Sequence, residues 1–133
     1  MHAQPLHLTY LSNVPRYQDT GVLSRQLLRW QPESIVNLPQ GIGFIPFALP
    51  GSPELMAATV EGLRRHRIVV WAKHGVMARS DISVKRAGDR IEYAETGARY
   101  EYMNLVNGEQ GVGLTAEEVR AICAAFDIQQ TIF

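Results

Sequence analysis

A single cysteine, Cys123, excludes an internal disulfide and any cysteine-based metal cluster. Its place among Val119, Ile122 and Phe126 at helical spacing predicts a core thiol. An excess of charge of either sign is also missing. Thirteen basic and thirteen acidic side chains cancel, with no block of like charge, which argues against nucleic-acid grooves and anionic membrane surfaces as partners. No apolar run reaches membrane-spanning length, and no charged segment followed by an apolar one opens the chain. A cytoplasmic protein is the expectation. Repeats and linkers are absent. Gln40-Gly41-Ile42-Gly43 lacks the third glycine of a dinucleotide fingerprint and opens no helix. What remains is 133 residues, 46% hydrophobic, enough for one domain with a core.

The organising stretch is Ile68 to Arg79. Five apolar residues, Ile68 to Ala72, are too short and too rich in β-formers for a helix and read as a buried strand. Lys73 and His74 fall at its end, Gly75 turns the chain, and Val76-Met77-Ala78 returns. Around it the pattern alternates. His2-Ala3-Gln4 reads as strand, Leu6 to Asn13 as helix opened by Pro5, and Gly21 to Trp30 as helix capped by Thr20. Ser34 to Leu38 and Ile42 to Pro46 read as strands joined by a Pro39-Gln40-Gly41 turn. Ser52-Pro53-Glu54 starts a helix, and Asp81 or Ser83 caps a long one to about Leu105. That helix carries the stripe Val84, Ala87, Ile91, Ala94, Ala98, Tyr102, Leu105. Thr115 and Glu118 form a capping box for the last helix. Residues 127–133 read as a loop or short edge strand. The whole predicts one α/β domain.

Histidine is the residue that suggests chemistry. A histidine at a strand end beside a glycine is placed to hold a metal, or simply to bond its own turn. His2 and Gln4 leave one face of a strand, and His7 lies one helical turn beyond. With His74 this gives two or three imidazoles, enough for a zinc site that keeps an open position. Glu33 is the one acid near an expected sheet edge that can serve as acid or base. Arg79, Arg86, Asp89 and Arg90 read as solvated faces.

Several of these stretches together carry a resemblance. Met1-His2-Ala3-Gln4, Ser24-Arg25-Gln26-Leu27, Leu38-Pro39-Gln40-Gly41-Ile42-Gly43, Leu49-Pro50-Gly51-Ser52 and Trp71-Ala72-Lys73-His74-Gly75-Val76 occur in that order. In that order they resemble the C-terminal half of the class II sugar-phosphate aldolases, in particular their rhamnulose-1-phosphate branch. The resemblance implies an α/β/α three-layer fold with a mainly antiparallel sheet, a homotetramer, and one Zn2+ per site held by three histidines. His2 matches the first ligand and His74 the third. Gln4 stands where the second is found, so His7 is expected to complete the site, with Gln4 as the alternative ligand. Glu33 matches an acidic position near the family's active site. The family's phosphate-cradling loops and its proton-moving glutamate belong to an N-terminal half with no counterpart among these residues. The chain is therefore read as one partial domain, 1–133, with no phosphate-binding residues of its own and no activity alone. A homo-oligomer or a partner chain supplying the other half is expected. The implied substrate is a small sugar phosphate. Other readings under the same resemblance are a pentulose-phosphate epimerase, a dehydratase, or a non-catalytic interaction module like the adducin head.

Overall fold

The computed structural model describes all 133 residues. Its centre is a four-stranded sheet of β1 (His2–Ala3), β2 (Gly43–Ile45), β3 (Ile68–Trp71) and β4 (Gly75–Ala78), ordered β1-β4-β3-β2. β3 and β4 pair antiparallel through the tight turn between them, and β1 continues antiparallel on β4. β2 joins β3 in parallel, because α4 (Pro53–Arg65) intervenes as a crossover.

Side chains alternate across this sheet as the two-residue period requires. Ile68, Val70, Val76 and Ala78 point into the main core, with helices α1 (Leu6–Leu11), α2 (Thr20–Leu28) and α5 (Val84–Val106). Val69, Trp71 and Ile45 point the other way and pack on Leu55 of α4. Two short helices close the domain: α3 (Pro32–Asn37) and α6 (Ala116–Phe126), which pack on each other. The result is the three-layer α/β/α arrangement with a mainly antiparallel sheet that the resemblance implies.

Local chemistry fixes the helix starts. Ser52 Oγ accepts from Leu55 N at 3.1 Å, Ser83 Oγ from Arg86 N at 3.1 Å, and the Thr115–Glu118 capping box is complete. The α2 cap is Asp19 and not Thr20, its Oδ1 accepting from Val22 N at 2.8 Å. Thr20 is the first helical residue, and its hydroxyl accepts from Phe44 N of β2. Helix α1 has no capping side chain of its own, since Pro5 precedes it. Glu95 of α5 does the task instead, accepting from His7 N and Leu8 N, both at 2.9 Å.

Three sequence expectations are corrected. Ser34 to Leu38 is helical: Pro32 takes the first helical position, and Leu38 N donates to Ser34 O at 2.9 Å. So short an apolar run does not separate strand from helix by period, and the proline decided it. Pro39-Gln40-Gly41 accordingly links a helix to β2. The buried line of α5 also departs from the apolar stripe. Val84 and Tyr102 are exposed, while Glu101 is 1% exposed. Glu101 goes inside because partners await it: Tyr17 Oη donates at 2.7 Å, Trp30 Nε1 at 3.2 Å and Arg29 Nη2 at 3.4 Å. Burial and this carboxylate push the Tyr17 phenol well above its ordinary value. Finally, Arg90 is buried at 4% exposure instead of solvated, one of its amino groups donating to the Arg79 carbonyl.

Candidate metal centre

The turn between β3 and β4 is built by constraint from outside the hairpin. Lys73 sits in the left-handed region at φ 64°, a conformation that costs a lysine roughly 1–2 kcal/mol. What holds it there is Ser12, fully buried at the end of α1. Ser12 Oγ donates to Thr9 O at 2.7 Å and accepts from Lys73 N at 2.9 Å. His74 N then donates to Trp71 O at 3.0 Å, closing the turn.

Gly75 brings β1 against this turn. A methyl group on it would lie 2.5 Å from the Ala3 carbonyl oxygen, 3.1 Å from Gln4 Cγ and 3.2 Å from His2 Cε1. Only a bare α-carbon admits all three, and its φ of 154° is one that L side chains rarely adopt. The glycine therefore sets how closely His2 and Gln4 approach the histidine of the turn.

Two imidazoles result. The ring centres of His2 and His74 are 5.2 Å apart, nearly edge to face at 71°. Trp71 lies against both, 4.9 Å from His2 and 5.0 Å from His74. Two imidazoles sharing one tetrahedral zinc, each bound at about 2.0–2.1 Å, have centres roughly 5 Å apart. His2 Nδ1 sits 2.8 Å from the Val76 carbonyl oxygen. A carbonyl can only accept, so Nδ1 carries the proton and Nε2 keeps its lone pair free. A backbone carbonyl orienting a metal-ligating histidine has this form. His74 Nδ1 is buried and has no hydrogen-bond partner. Such a group costs about 1–3 kcal/mol unless something satisfies it. A metal ion would.

The expected third ligand, His7, lies apart from the pair: its Nδ1 is 2.7 Å from Glu95 Oε1, and its ring packs at 5.4 Å from Tyr102. Pro5 turns the chain into α1, and the helix carries His7 to α5. No three side chains among His, Cys, Asp and Glu converge anywhere in the molecule to hold a metal. Gln4, packed over Gly75 beside the His2 ring, is the further donor at this end of the sheet, and a carboxamide oxygen is a weak zinc ligand beside imidazole. Two imidazoles fit a zinc, and the third protein ligand is at best an amide.

Glu33 is exposed in the first turn of α3, where it has no salt-bridge partner and its side chain bonds neither histidine. A cavity of about 280 Å³ that Trp71 helps to line is walled mainly by Leu55, Met56, Val60 and Met77. Of its two hydroxyls, Thr59 both donates to Leu55 O and accepts from Trp71 Nε1, while Ser52 accepts from Leu55 N. Sequence reasoning missed Ser12, Trp71 and the Val76 carbonyl. Of these only Trp71, three residues before His74, left a local signal.

The chain is similar to known proteins over nearly all of its length. The family described as the class II aldolase and adducin N-terminal domain matches residues 1–102. Among curated proteins, a rhamnulose-1-phosphate aldolase of Bacteroides thetaiotaomicron is 29% identical over 96% of this chain and 47% of its own length. The enzyme of the same name from Escherichia fergusonii is 31% identical over 96% of this chain and 46% of its own. Among solved structures, a sugar-phosphate aldolase from Thermotoga maritima superposes with a TM-score of 0.73 at 36% identity, covering 84% of this chain and 47% of the other. An L-fuculose 1-phosphate aldolase shares the fold, with a TM-score of 0.66 at 20% identity over 96% of this chain and 54% of the other. The chain spans about half the length of the curated relatives it matches.

Proposed function

This chain belongs to the class II aldolase and adducin N-terminal domain family, and from that premise we propose that it is the zinc-binding part of a sugar-phosphate aldolase. The reaction is cleavage of L-rhamnulose 1-phosphate to dihydroxyacetone phosphate and L-lactaldehyde. The observation that carries this is the His2–His74 pair: ring centres 5.2 Å apart, one ring oriented by Val76 and the other holding a buried nitrogen without a partner.

Each residue has a task in this reading. His2, its Nδ1–H fixed on Val76, presents Nε2, and His74 presents a nitrogen that the turn has already desolvated. Ser12 and Gly75 hold the two rings at their spacing, and Gln4 completes the protein's share as a weak donor. When bound, zinc supplies a Lewis acid for the substrate carbonyl oxygen. The phosphate grip lies outside these residues, and Glu33, exposed in the single chain, is the acid–base candidate that neighbouring chain would have to cover. Turnover therefore needs further chain, from a homotetramer's neighbours or from a partner polypeptide. Phosphate binding holds reacting atoms in place through remote binding energy, and acid–base help contributes roughly another 10²–10⁴ in rate.

The lack of a third His, Cys, Asp or Glu beside the pair favours a second reading, a non-catalytic association module with this fold. Zinc titration by calorimetry separates the two. The aldolase reading expects one zinc per chain, weakened at least about 100-fold in His74→Ala and unchanged in His7→Ala. Unchanged binding in His74→Ala, or no binding by the unaltered chain, overturns it. In a coupled assay for dihydroxyacetone phosphate, the 133-residue chain alone should show no turnover.

A further inference from the structure

The opposite end of the same hairpin gathers cations without anions. Arg67 immediately precedes β3 and Arg79 immediately follows β4, and Arg79 N donates to Arg67 O at 2.9 Å, so the two lie side by side. Arg86 and Arg90 stand one helical turn apart on α5. Hydrogen bonds tie the pairs together. Arg90 donates to the Arg79 carbonyl, while Arg67 Nη1 donates to Asn37 O at 3.1 Å and Arg86 Nη1 to Asn37 Oδ1 at 3.2 Å. The Arg79 side chain itself turns to the other face of the sheet, where its Nε donates to the Leu63 carbonyl of α4.

None of the four forms an ion pair. Every salt bridge in the molecule lies elsewhere, and the nearby Asp89 is held by Lys85 at 2.9 Å. Arg90 is 4% exposed, and its Nε is buried with no partner. Burial and the fields of Arg67, Arg79 and Arg86 hold its guanidinium below the ordinary value, with Asp81 offsetting only part of this. Natural proteins seldom bury a cation unpaired, because losing water costs several kcal/mol per ion.

We propose that Arg67, Arg86 and Arg90 form a binding site for a phosphate-class dianion. Guanidinium forks match phosphate oxygens in pairs, and a phosphate monoester supplies two charges where a carboxylate supplies one. The protein's net charge is zero, so the attraction is local and suits a small ligand over an extended polyanion. Arg67 and Arg86 are half-buried, so the site meets solvent at these two side chains and has the buried Arg90 behind them. It is separated from His74 by the four residues of β3, roughly 13 Å at 3.3 Å per residue. A phosphate here is thus remote from a zinc at His2 and His74 of the same chain, and the proposal stands without the zinc reading.

The test is thermal unfolding in inorganic phosphate against sodium chloride at equal ionic strength, with a chelator present. Glycerol 3-phosphate serves as the monoester. A saturable rise of about 5 °C is expected with phosphate and not with chloride. In Arg67→Gln/Arg86→Gln the phosphate affinity should fall at least about 10-fold, with melting in chloride unchanged or higher because repulsion is relieved. Arg86→Lys, which keeps the charge, should bind at an intermediate level. The single variant Arg86→Gln, at a half-buried position, provides the same readout if the double variant does not fold. No saturable rise, or an equal rise in the Gln variants, overturns the proposal. Neutralisation by carboxylates of another polypeptide would appear as the first of these.

Discussion

The two ends of the β3–β4 hairpin differ in what they ask of the rest of the molecule, and both differ from its middle. Between the ends, Ile68, Val69, Val70 and Val76 are fully buried and need only apolar neighbours. At the turn, a left-handed lysine and a glycine pressed by the Ala3 carbonyl are held by Ser12 and β1, and two imidazoles emerge. At the open end the guanidiniums of Arg67, Arg86 and Arg90 gather around Asn37 and the Arg79 carbonyl with no carboxylate bonded to them. The turn is strained but braced, and the open end is unstrained but uncompensated. Each leaves one buried nitrogen without a partner, His74 Nδ1 and Arg90 Nε. The apolar packing lies in the middle of this hairpin and both proposed binding sites at its tips, as expected when a rigid scaffold presents costly groups at element ends.

Substitutions at the two tips should therefore act with different sign and size. The largest effect is expected for Gly75→Ala, whose methyl meets a backbone carbonyl at 2.5 Å. Chemical denaturation should show a loss of about 3 kcal/mol, with zinc binding lost as β1 is pushed away. A change under about 0.5 kcal/mol would show that β1 is not seated as described. Ser12→Ala comes next. It removes the partner of the part-buried Lys73 N–H and should cost about 1–2 kcal/mol, and it should weaken zinc roughly 10-fold by loosening His74. Unaltered zinc affinity would uncouple Ser12 from the site.

Lys73→Gly should move the other way. It relieves the left-handed strain at some cost in unfolded-chain entropy, a net gain of about 0.5 kcal/mol. The smallest effect is expected at the open end. Arg67→Gln without phosphate should stabilise by up to about 0.5 kcal/mol, a gain that shrinks in high salt as repulsion is screened. A loss of stability, or indifference to salt, would mean these charges are already compensated.

How much of this was legible in the sequence follows from how local each determinant is. Ser52-Pro53, Ser83 and the Thr115–Glu118 pair announce their helices because a cap acts within four residues. The β3 strand, its end at His74 and the turn at Gly75 were legible for the same reason. The fold and the family were also legible, from motifs spread in order along the chain. Assignments decided at long range were not. His7 was expected at the metal, but its partner Glu95 lies 88 residues away. Arg90 was expected in solvent, and Glu101 fell outside the apolar stripe although it is the more buried residue. Tyr17, Trp30 and Arg29, which draw it inward, come from elements that no periodicity connects to α5. Nothing about a lysine signals a left-handed turn. Only the Ser12 hydroxyl beneath it does.

The central claim is that His2 and His74 act as a pair and His7 does not. Long-range proton–nitrogen NMR of the histidine rings during zinc titration reads it most directly, because each imidazole nitrogen reports its own bond. His2 Nε2 and one nitrogen of His74 should shift together and saturate at one equivalent, with His2 Nδ1 still protonated on Val76 and the signals of His7 and His66 unmoved. If His7 shifts with the pair, or if His74 stays still while zinc binds, the account of this site is contradicted.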